Sequence, residues 1–115
     1  MKAELLFRGA VLASAALLVA CAGMGGNENI DYRALVASPD RSEADRQTDQ
    51  RRKPELLLAF AGVRPGMKVL DMGAGGGYST ELLARAAGSG GTVYAQDSAA
   101  LPDRVKERFD ERAKG

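Results

Sequence analysis

The sequence predicts an α/β fold built on a doubly wound parallel sheet. Three features predict it: the apolar pair Val69 and Leu70, typical of a buried strand; a glycine-rich turn directly after that pair; and a helix-like run over residues 78–87. A second β-rich run, residues 92–96, follows one further turn. A strand, a helix and a second strand in this order form the βαβ unit, whose two strands are parallel.

The first twenty residues have the pattern of a secretory signal. Lys2 and Arg8 precede an almost wholly apolar run, residues 11–20. This run is too short to span a bilayer as a stable helix. A core helix would have a polar face, and this run has none. We therefore expect residues 1–20 to be a signal peptide. Translation from Met24 instead would give a cytoplasmic protein without this signal.

The single cysteine, Cys21, follows the small residues that end this run. The arrangement resembles the bacterial lipobox, in which the signal is cut before the cysteine and the cysteine receives a lipid. The resemblance implies an exported lipoprotein, periplasmic or on the cell surface, that is anchored in the membrane through Cys21. A chain with one cysteine cannot form an internal disulfide or a thiolate metal cluster. An incidental buried thiol is the alternative.

Residues 21–53 are predicted to be a polar tether followed by a charged helical segment. Glycine and asparagine dominate residues 23–29, as suits a tether. Residues 41–53 mix both signs of charge, with Asp45 and Asp49 three or four residues from arginines, which favours a solvated helix with ion pairs of small energetic effect. The formal net charge of +1 gives no indication of nucleic-acid binding.

Two further helices flank the βαβ unit. Pro54 suits the first turn of a helix, Leu56, Leu57, Leu58 and Phe60 give it an apolar side, and Gly62 suits its C-terminal end. We expect this helix to pack on the sheet. After the second strand, Pro102 is suited to opening another helix, whose many charges are expected to face solvent.

The glycine-rich turn has the composition of a loop that cradles a nucleotide-like ligand. Glycines at 73, 75 and 77 permit positive φ and let backbone N–H groups approach a ligand closely. The N-terminus of the following helix adds a partial positive charge at the same place. The dinucleotide fingerprint G-x-G-x-x-G would require glycine at position 78 if it began at Gly73, and Tyr78 stands there.

An acidic residue followed by glycine at every second position, Asp71, Gly73, Gly75 and Gly77, resembles the first motif of the class I S-adenosylmethionine-dependent methyltransferases. The resemblance extends to the Pro-Gly turn before the first strand and to Asp97 after the second strand, and it covers roughly residues 54–97. In doubly wound folds an acid about twenty residues beyond the loop binds the ribose hydroxyls. Asp97 alone could instead cap the next helix.

The resemblance implies a Rossmann-like domain that binds S-adenosyl-L-methionine and transfers its methyl group to an acceptor that the sequence does not identify. The residues it assigns to the cofactor are Asp71, Gly73, Ala74, Gly75, Gly77 and Asp97. The sequence identifies no catalytic residue and no metal site. Because only two strands are predicted, residues 54–115 are expected to be the N-terminal part of such a domain, with only the first βαβ half.

Two other functions remain open at this point. One is a non-catalytic, lipid-anchored binding or structural protein, and the other is an NAD-binding or other nucleotide-binding domain. Export also conflicts with the cofactor, since S-adenosylmethionine is made in the cytoplasm. A two-stranded sheet leaves an edge unpaired, so the sequence further predicts a possible homodimer formed through that edge.

Overall fold

The structure is a computed structural model and describes residues 30–114. The helices and strands, in chain order, are α1 (Tyr32–Val36), α2 (Glu43–Arg52), α3 (Pro54–Ala61), β1 (Lys68–Met72), α4 (Tyr78–Ala87), β2 (Thr92–Gln96) and α5 (Asp103–Arg112). The predicted signal peptide, Cys21 and Met24 lie outside the described residues. Within residues 30–114, no helix combines the length and the apolar character needed to cross a membrane.

The sheet confirms the predicted fold class. Strands β1 and β2 are parallel, with Lys68 opposite Thr92 and Met72 opposite Gln96, and α4 forms the crossover between them. Alternate side chains of a strand point to opposite faces. Val69 and Val93 accordingly pack against the core, whereas Leu70 on the other face is 60% exposed.

The core lies between the sheet and the helices α1, α3 and α4. Leu58 of α3 and Leu82 of α4 are 0% and 1% exposed, and they form one cluster with the buried residues Val36, Val63, Leu83, Ala86 and Ala87. Burial of such side chains is the main source of stability in a domain of this size. The core therefore joins α1, α3 and α4 into one unit that supports the sheet.

Helix α3 has the predicted ends but a different packing partner. It begins at Pro54, and Gly62 ends it in the left-handed conformation at φ 62°. The expectation that it packs on the sheet is wrong, because its main contacts are with α1 and α4. Helix α4 already covers that face of the sheet, so α3 packs outside it, and Phe60 on its outer side is 92% exposed.

The charged segment is helical, as expected, but it is not solvated along its length. Arg41 and Asp45 are only 4% and 5% exposed. Their ion-pair partners are not the residues three or four positions away that the sequence indicated. Arg41 pairs with Asp49 at 2.6 Å, and Asp45 pairs with Arg112 of α5 at 2.6 Å. Charged groups are buried in proteins when they are paired and hydrogen-bonded, which explains the difference.

The predicted tether region also contributes to the packed structure. Residues 32–36 form α1, which packs on α3 and α4 and buries Val36. Asp31 begins this helix by accepting a hydrogen bond from the Ala34 N–H, and the Tyr32 hydroxyl donates to the Val63 carbonyl at 2.8 Å. Residues 31–53 thus form a small helical layer against the βαβ unit.

Candidate functional site

The glycine loop, residues 73–77, connects the end of β1 to the start of α4. Gly73, Gly75 and Gly77 have φ values of 81°, 54° and 83°, all in the region that favours glycine. The N–H groups of Gly73 and Ala74 donate to the Gln96 carbonyl at 2.8 and 3.1 Å. The loop is therefore fixed to the end of β2, at the edge of the sheet where open α/β proteins bind their ligands.

Gly77 also lies against helix α5, which leaves little space for a side chain at this position. A Cβ atom at this position would lie 3.0 Å from Cδ of Arg112 and 3.1 Å from Cδ2 of Phe109. At Gly73, in contrast, a Cβ atom would meet no atom within 4 Å. The backbone conformation accounts for glycine at both positions, and at Gly77 a Cβ atom would in addition require the side chains of Arg112 and Phe109 to shift slightly.

Asp71 lies under the first turn of α4. Its Oδ2 atom accepts hydrogen bonds from the Thr80 hydroxyl at 2.6 Å and the Ser79 hydroxyl at 3.0 Å. A carboxylate near a helix N-terminus is also favoured by the helix dipole. Asp71 therefore fixes the direction of α4 relative to β1, and its predicted contact with a cofactor stays a prediction.

Asp97 and the glycine loop meet, as the motif spacing predicted. One carboxylate oxygen of Asp97, Oδ2, accepts a hydrogen bond from the Gly75 N–H, and the other accepts from the Ser98 N–H at 2.6 Å. Helix α5 begins at Asp103 after Pro102, so the alternative that Asp97 caps this helix is wrong. In this conformation the Gly75 N–H is occupied by Asp97, whereas the Asp97 carboxylate can accept further hydrogen bonds.

A small cavity lies where the loop, the end of β2 and α5 come together. Its volume is about 200 Å³, and its lining comprises Ala74, Gly75, Ala95, Gln96, Asp97, Leu101, Lys106, Phe109 and Asp110. A larger cavity of about 520 Å³ lies between α4 and the end of α5, and its lining includes Gly77, Arg85 and Arg112. The smaller cavity is lined by three of the predicted cofactor residues, Ala74, Gly75 and Asp97, and the larger one by Gly77 alone, so we regard the smaller cavity as the candidate site.

Tyr78 is held by a cluster that the sequence did not predict. The Tyr78 hydroxyl donates a hydrogen bond to Asp49 at 2.6 Å. Asp49 also accepts hydrogen bonds from both terminal nitrogens of Arg41, at 2.6 and 2.9 Å. The Arg52 guanidinium lies 5.0 Å from the centre of the Tyr78 ring, a distance typical of a cation–π contact. Burial and the hydrogen bond to Asp49 raise the pKa of Tyr78 above its ordinary value. The cluster joins α2 to the residue that follows the glycine loop.

Arg112 is the second contact that the sequence did not predict. Its Nε donates to the Gly76 carbonyl at 3.1 Å, and its terminal nitrogens donate to Asp45 at 2.6 and 3.0 Å and to Glu81. The hydrogen bonds from Arg112 lower the pKa of Asp45 below its ordinary value, against the opposing effect of burial. A single side chain thus connects α5 to α2, to α4 and to the glycine loop.

The described residues contain no cluster of three or more histidine, cysteine or acidic side chains that could hold a metal ion. The polar groups that line the candidate cavity include the carboxylates of Asp97 and Asp110 and the ammonium group of Lys106. Such groups are suited to binding a polar ligand with hydroxyl and carboxylate groups.

The family model for Protein-L-isoaspartate(D-aspartate) O-methyltransferase (PCMT) matches residues 36–112. The chain belongs to this family. The match confirms the methyltransferase resemblance and includes α2, which lies before the part of the chain that carried the resemblance. The Asp45–Arg112 pair and the Tyr78 cluster therefore both lie within the matched region.

The chain is also similar to individual members of the family. It is 51% identical to a protein-L-isoaspartate O-methyltransferase of Aeropyrum pernix over 39 residues, which are 34% of this chain and 15% of that protein. A solved structure of a protein-L-isoaspartate O-methyltransferase is 26% identical, with a TM-score of 0.44, and covers 53% of this chain and 20% of that chain. The chain thus corresponds to only a small part of the length of these relatives.

Proposed function

We propose that the chain provides the S-adenosylmethionine-binding part of a methyltransferase, and that the cofactor binds between the glycine loop and Asp97. The observation that carries the proposal is the meeting of the Asp97 carboxylate with the Gly75 N–H at the carboxyl edge of the sheet. Membership of the family supports a methyltransfer function, and the members of this family use S-adenosylmethionine.

The residues at this edge fit the groups of the cofactor. A ribose offers hydroxyl donors, for which the Asp97 carboxylate is a charged acceptor, and the α-carboxylate of the methionine part requires N–H donors. Glycine at positions 73, 75 and 77 lets a ligand approach the loop backbone without meeting a Cβ atom. The N–H groups of these glycines donate to Gln96, Asp97 and Ala74, so the cofactor would replace the hydrogen bond between Gly75 and Asp97 with its own. Ligand pockets usually measure 300–1,000 Å³, so the cavity of about 200 Å³ has room for only part of the cofactor.

The cofactor, when bound, supplies a methyl group on a positively charged sulfur. The task of the chain is then to hold that methyl group in line with an acceptor, which lowers the entropic part of the barrier. Asp97 would orient the ribose, and Asp71 would act indirectly, because it fixes the start of α4 through Ser79 and Thr80. A closed, water-poor pocket would further favour transfer over loss of the donor.

The family's name indicates a carboxylate of isoaspartate in a protein as the methyl acceptor, and we extend this acceptor class to the chain. A carboxylate is deprotonated at neutral pH, since its ordinary pKa is about 4. It can therefore attack a methyl group without a general base. The absence of histidine from the chain is compatible with such a reaction.

The test is calorimetric titration of the full chain with S-adenosylmethionine, with NAD as the control ligand. Asp97→Ala should weaken S-adenosylmethionine binding at least tenfold, because a charge-assisted hydrogen bond contributes about 1.5–3 kcal/mol. Glu107→Ala, which removes an exposed carboxylate of α5, is the matched control and should bind like the unaltered chain. Equal affinity in the two variants would contradict the assignment of Asp97, and preferential binding of NAD would favour a dinucleotide-binding domain.

We also propose that the protein is exported and anchored through a lipid on Cys21. The support is the charged start, the apolar run over residues 11–20 and the small residues before the cysteine. Metabolic labelling with a radioactive fatty acid tests this proposal: the unaltered chain should be labelled and Cys21→Ser should not. Unlabelled protein in the cytoplasm, beginning at Met24, would contradict it and would remove the conflict with the location of the cofactor.

A further inference from the structure

Arg52, the last residue of α2, lies at the edge of the sheet that carries the glycine loop. Helix α3 follows at Pro54 and leads through a short turn into β1, so it runs back along the strand and begins towards the carboxyl end of β1. The Arg52 guanidinium lies 5.0 Å from the centre of the Tyr78 ring, and Tyr78 is the first residue after the loop. A positively charged group is therefore held beside the loop.

The Arg52 guanidinium has no acidic partner within residues 30–114. The Asp49 carboxylate, which also contacts Tyr78, accepts two hydrogen bonds from Arg41 and one from the Tyr78 hydroxyl. None of the ion pairs in the described part of the chain includes Arg52, which is exposed. The flat face of the guanidinium thus lies on an aromatic ring, while the N–H groups at its edge stay available to a ligand.

The position of Arg52 is set by an unusual backbone conformation at the next residue. Lys53 has φ 49° and ψ 59°, and it is the only residue other than glycine with a positive φ in the part of the chain that the structure describes. It ends α2 and begins α3, so the two helices are joined without a loop. Such a conformation is costly for a residue with a side chain and persists where the surrounding structure determines it. The end of α2 is therefore a firm support for Arg52.

The chemistry of a stacked guanidinium fits a carboxylate. Two parallel N–H donors of a guanidinium match the two oxygens of a carboxylate group. Asp97, the proposed ribose ligand, contacts the loop at Gly75, whereas Arg52 lies beside the residue that follows the loop. The two groups would therefore hold different parts of the reacting pair.

We propose that Arg52, stacked on Tyr78, binds the carboxylate of the methyl acceptor. The proposal rests on the proposed function, since it names a residue that recognises the proposed acceptor class. In the reaction an oxygen of that carboxylate forms a bond to the methyl carbon, the bond from this carbon to sulfur breaks, and its electron pair stays on the sulfur. No proton is transferred, and the acceptor becomes a neutral methyl ester. Arg52 therefore attracts the acceptor before the reaction and has no charge to hold afterwards.

The test is fluorescence anisotropy of a labelled peptide whose only carboxylate is that of one isoaspartate, and of the same peptide with this carboxylate as its methyl ester. The full chain should bind the acid about tenfold more tightly than the ester, because the ester cannot make the charge-assisted hydrogen bonds. Arg52→Gln should bind both peptides equally. Arg51→Gln, which removes the same charge from the preceding exposed residue, is the matched control and should keep the tenfold preference.

Calorimetric titration of the same proteins with S-adenosylmethionine separates the acceptor from the cofactor, which also contains a carboxylate. Arg52→Gln should bind S-adenosylmethionine like the unaltered chain. Weaker binding of S-adenosylmethionine by Arg52→Gln, with an unchanged peptide preference, would overturn the proposal, because Arg52 would then hold the carboxylate of the cofactor.

The peptide measurement decides the role of Arg52 without the cofactor. An unchanged preference for the acid in Arg52→Gln would overturn the proposal, and so would the absence of binding of either peptide by the full chain. If the full chain does not bind S-adenosylmethionine, the proposed function fails, whereas the ratio of the two peptide affinities still confirms or overturns a carboxylate site at Arg52.

Discussion

Replacement of Gly91 by alanine tests the closest approach between the crossover helix and the sheet. A Cβ atom at this position would lie 2.5 Å from the Ala87 carbonyl oxygen, 2.6 Å from the Ala87 Cβ and 2.8 Å from the Met67 carbonyl oxygen. These are backbone atoms and a Cβ, which cannot rotate away as the end of a flexible side chain can. The backbone itself must therefore move.

The movement would disturb two hydrogen bonds. The Ala87 carbonyl accepts from the Gly66 N–H at 2.9 Å, and the Met67 carbonyl accepts from the Thr92 N–H at 2.9 Å, directly before the paired strands. Overpacking costs about 1–3 kcal/mol, and each weakened hydrogen bond adds about 0.5–1.5 kcal/mol. We therefore expect Gly91→Ala to lower the free energy of unfolding by about 2–6 kcal/mol.

The adjacent glycine provides the control. At Gly90 the nearest atom to an added Cβ is the Gly66 Cα at 3.9 Å, an ordinary contact, and its φ does not lie in the left-handed region. Gly90→Ala should leave stability unchanged or raise it by about 0.4–1 kcal/mol, because alanine restricts the unfolded chain. Urea unfolding followed by circular dichroism gives both values. Equal midpoints for the two variants would refute the close approach at Gly91.

Three further predictions concern the ion pairs, the strand–helix contact and the sheet edge. Pairing with Arg112 lowers the pKa of Asp45. The stability that the Asp45 carboxylate contributes is therefore complete above about pH 4 and is lost as the pH falls through the lowered pKa. The urea midpoint should consequently fall less on acidification in Asp45→Asn than in the unaltered chain. Thr80→Val removes a hydroxyl that donates to the Asp71 carboxylate of β1, and it should lower the free energy of unfolding by about 1–2 kcal/mol. Thr48→Val, at an exposed hydroxyl, should change the free energy of unfolding little. Equal losses in the two variants would contradict a stabilising contact between Thr80 and Asp71. If the chain forms a homodimer through its sheet edge, Leu70→Lys on β1 should abolish concentration-dependent sedimentation, and a monomer in both proteins at all concentrations would contradict the dimer.

The fold was predictable where glycine and proline mark the ends of elements. Helix α4 begins directly after Gly77 and ends directly before Gly88, and β2 begins directly after Gly91, as the sequence indicates. The meeting of the glycine loop with Asp97 was also predictable, because parallel strands bring their carboxyl ends to one edge. The cofactor-binding roles of these residues stay predictions.

The remaining parts of the site depend on pairs that are distant in sequence. Asp49 lies 29 residues before Tyr78, and Arg112 lies 31 residues after Glu81, so no periodicity connects them. The charge pattern of α2 has the same appearance whether its carboxylates face water or a distant guanidinium. The burial of Arg41 and the position of α5 over the loop were therefore not predictable from local sequence.

The pairing of Asp45 with Arg112 also has a consequence for the order of folding during synthesis. The two residues are 67 positions apart, so at 5–20 residues per second Asp45 is synthesised roughly 3–13 s before its partner. During that interval the Asp45 carboxylate stays without this partner, whereas the contacts of Asp49 with Arg41 and Tyr78 need no residue of α5. The pair between Asp45 and Arg112 therefore joins α2 to α5 only after the earlier contacts of α2 can form.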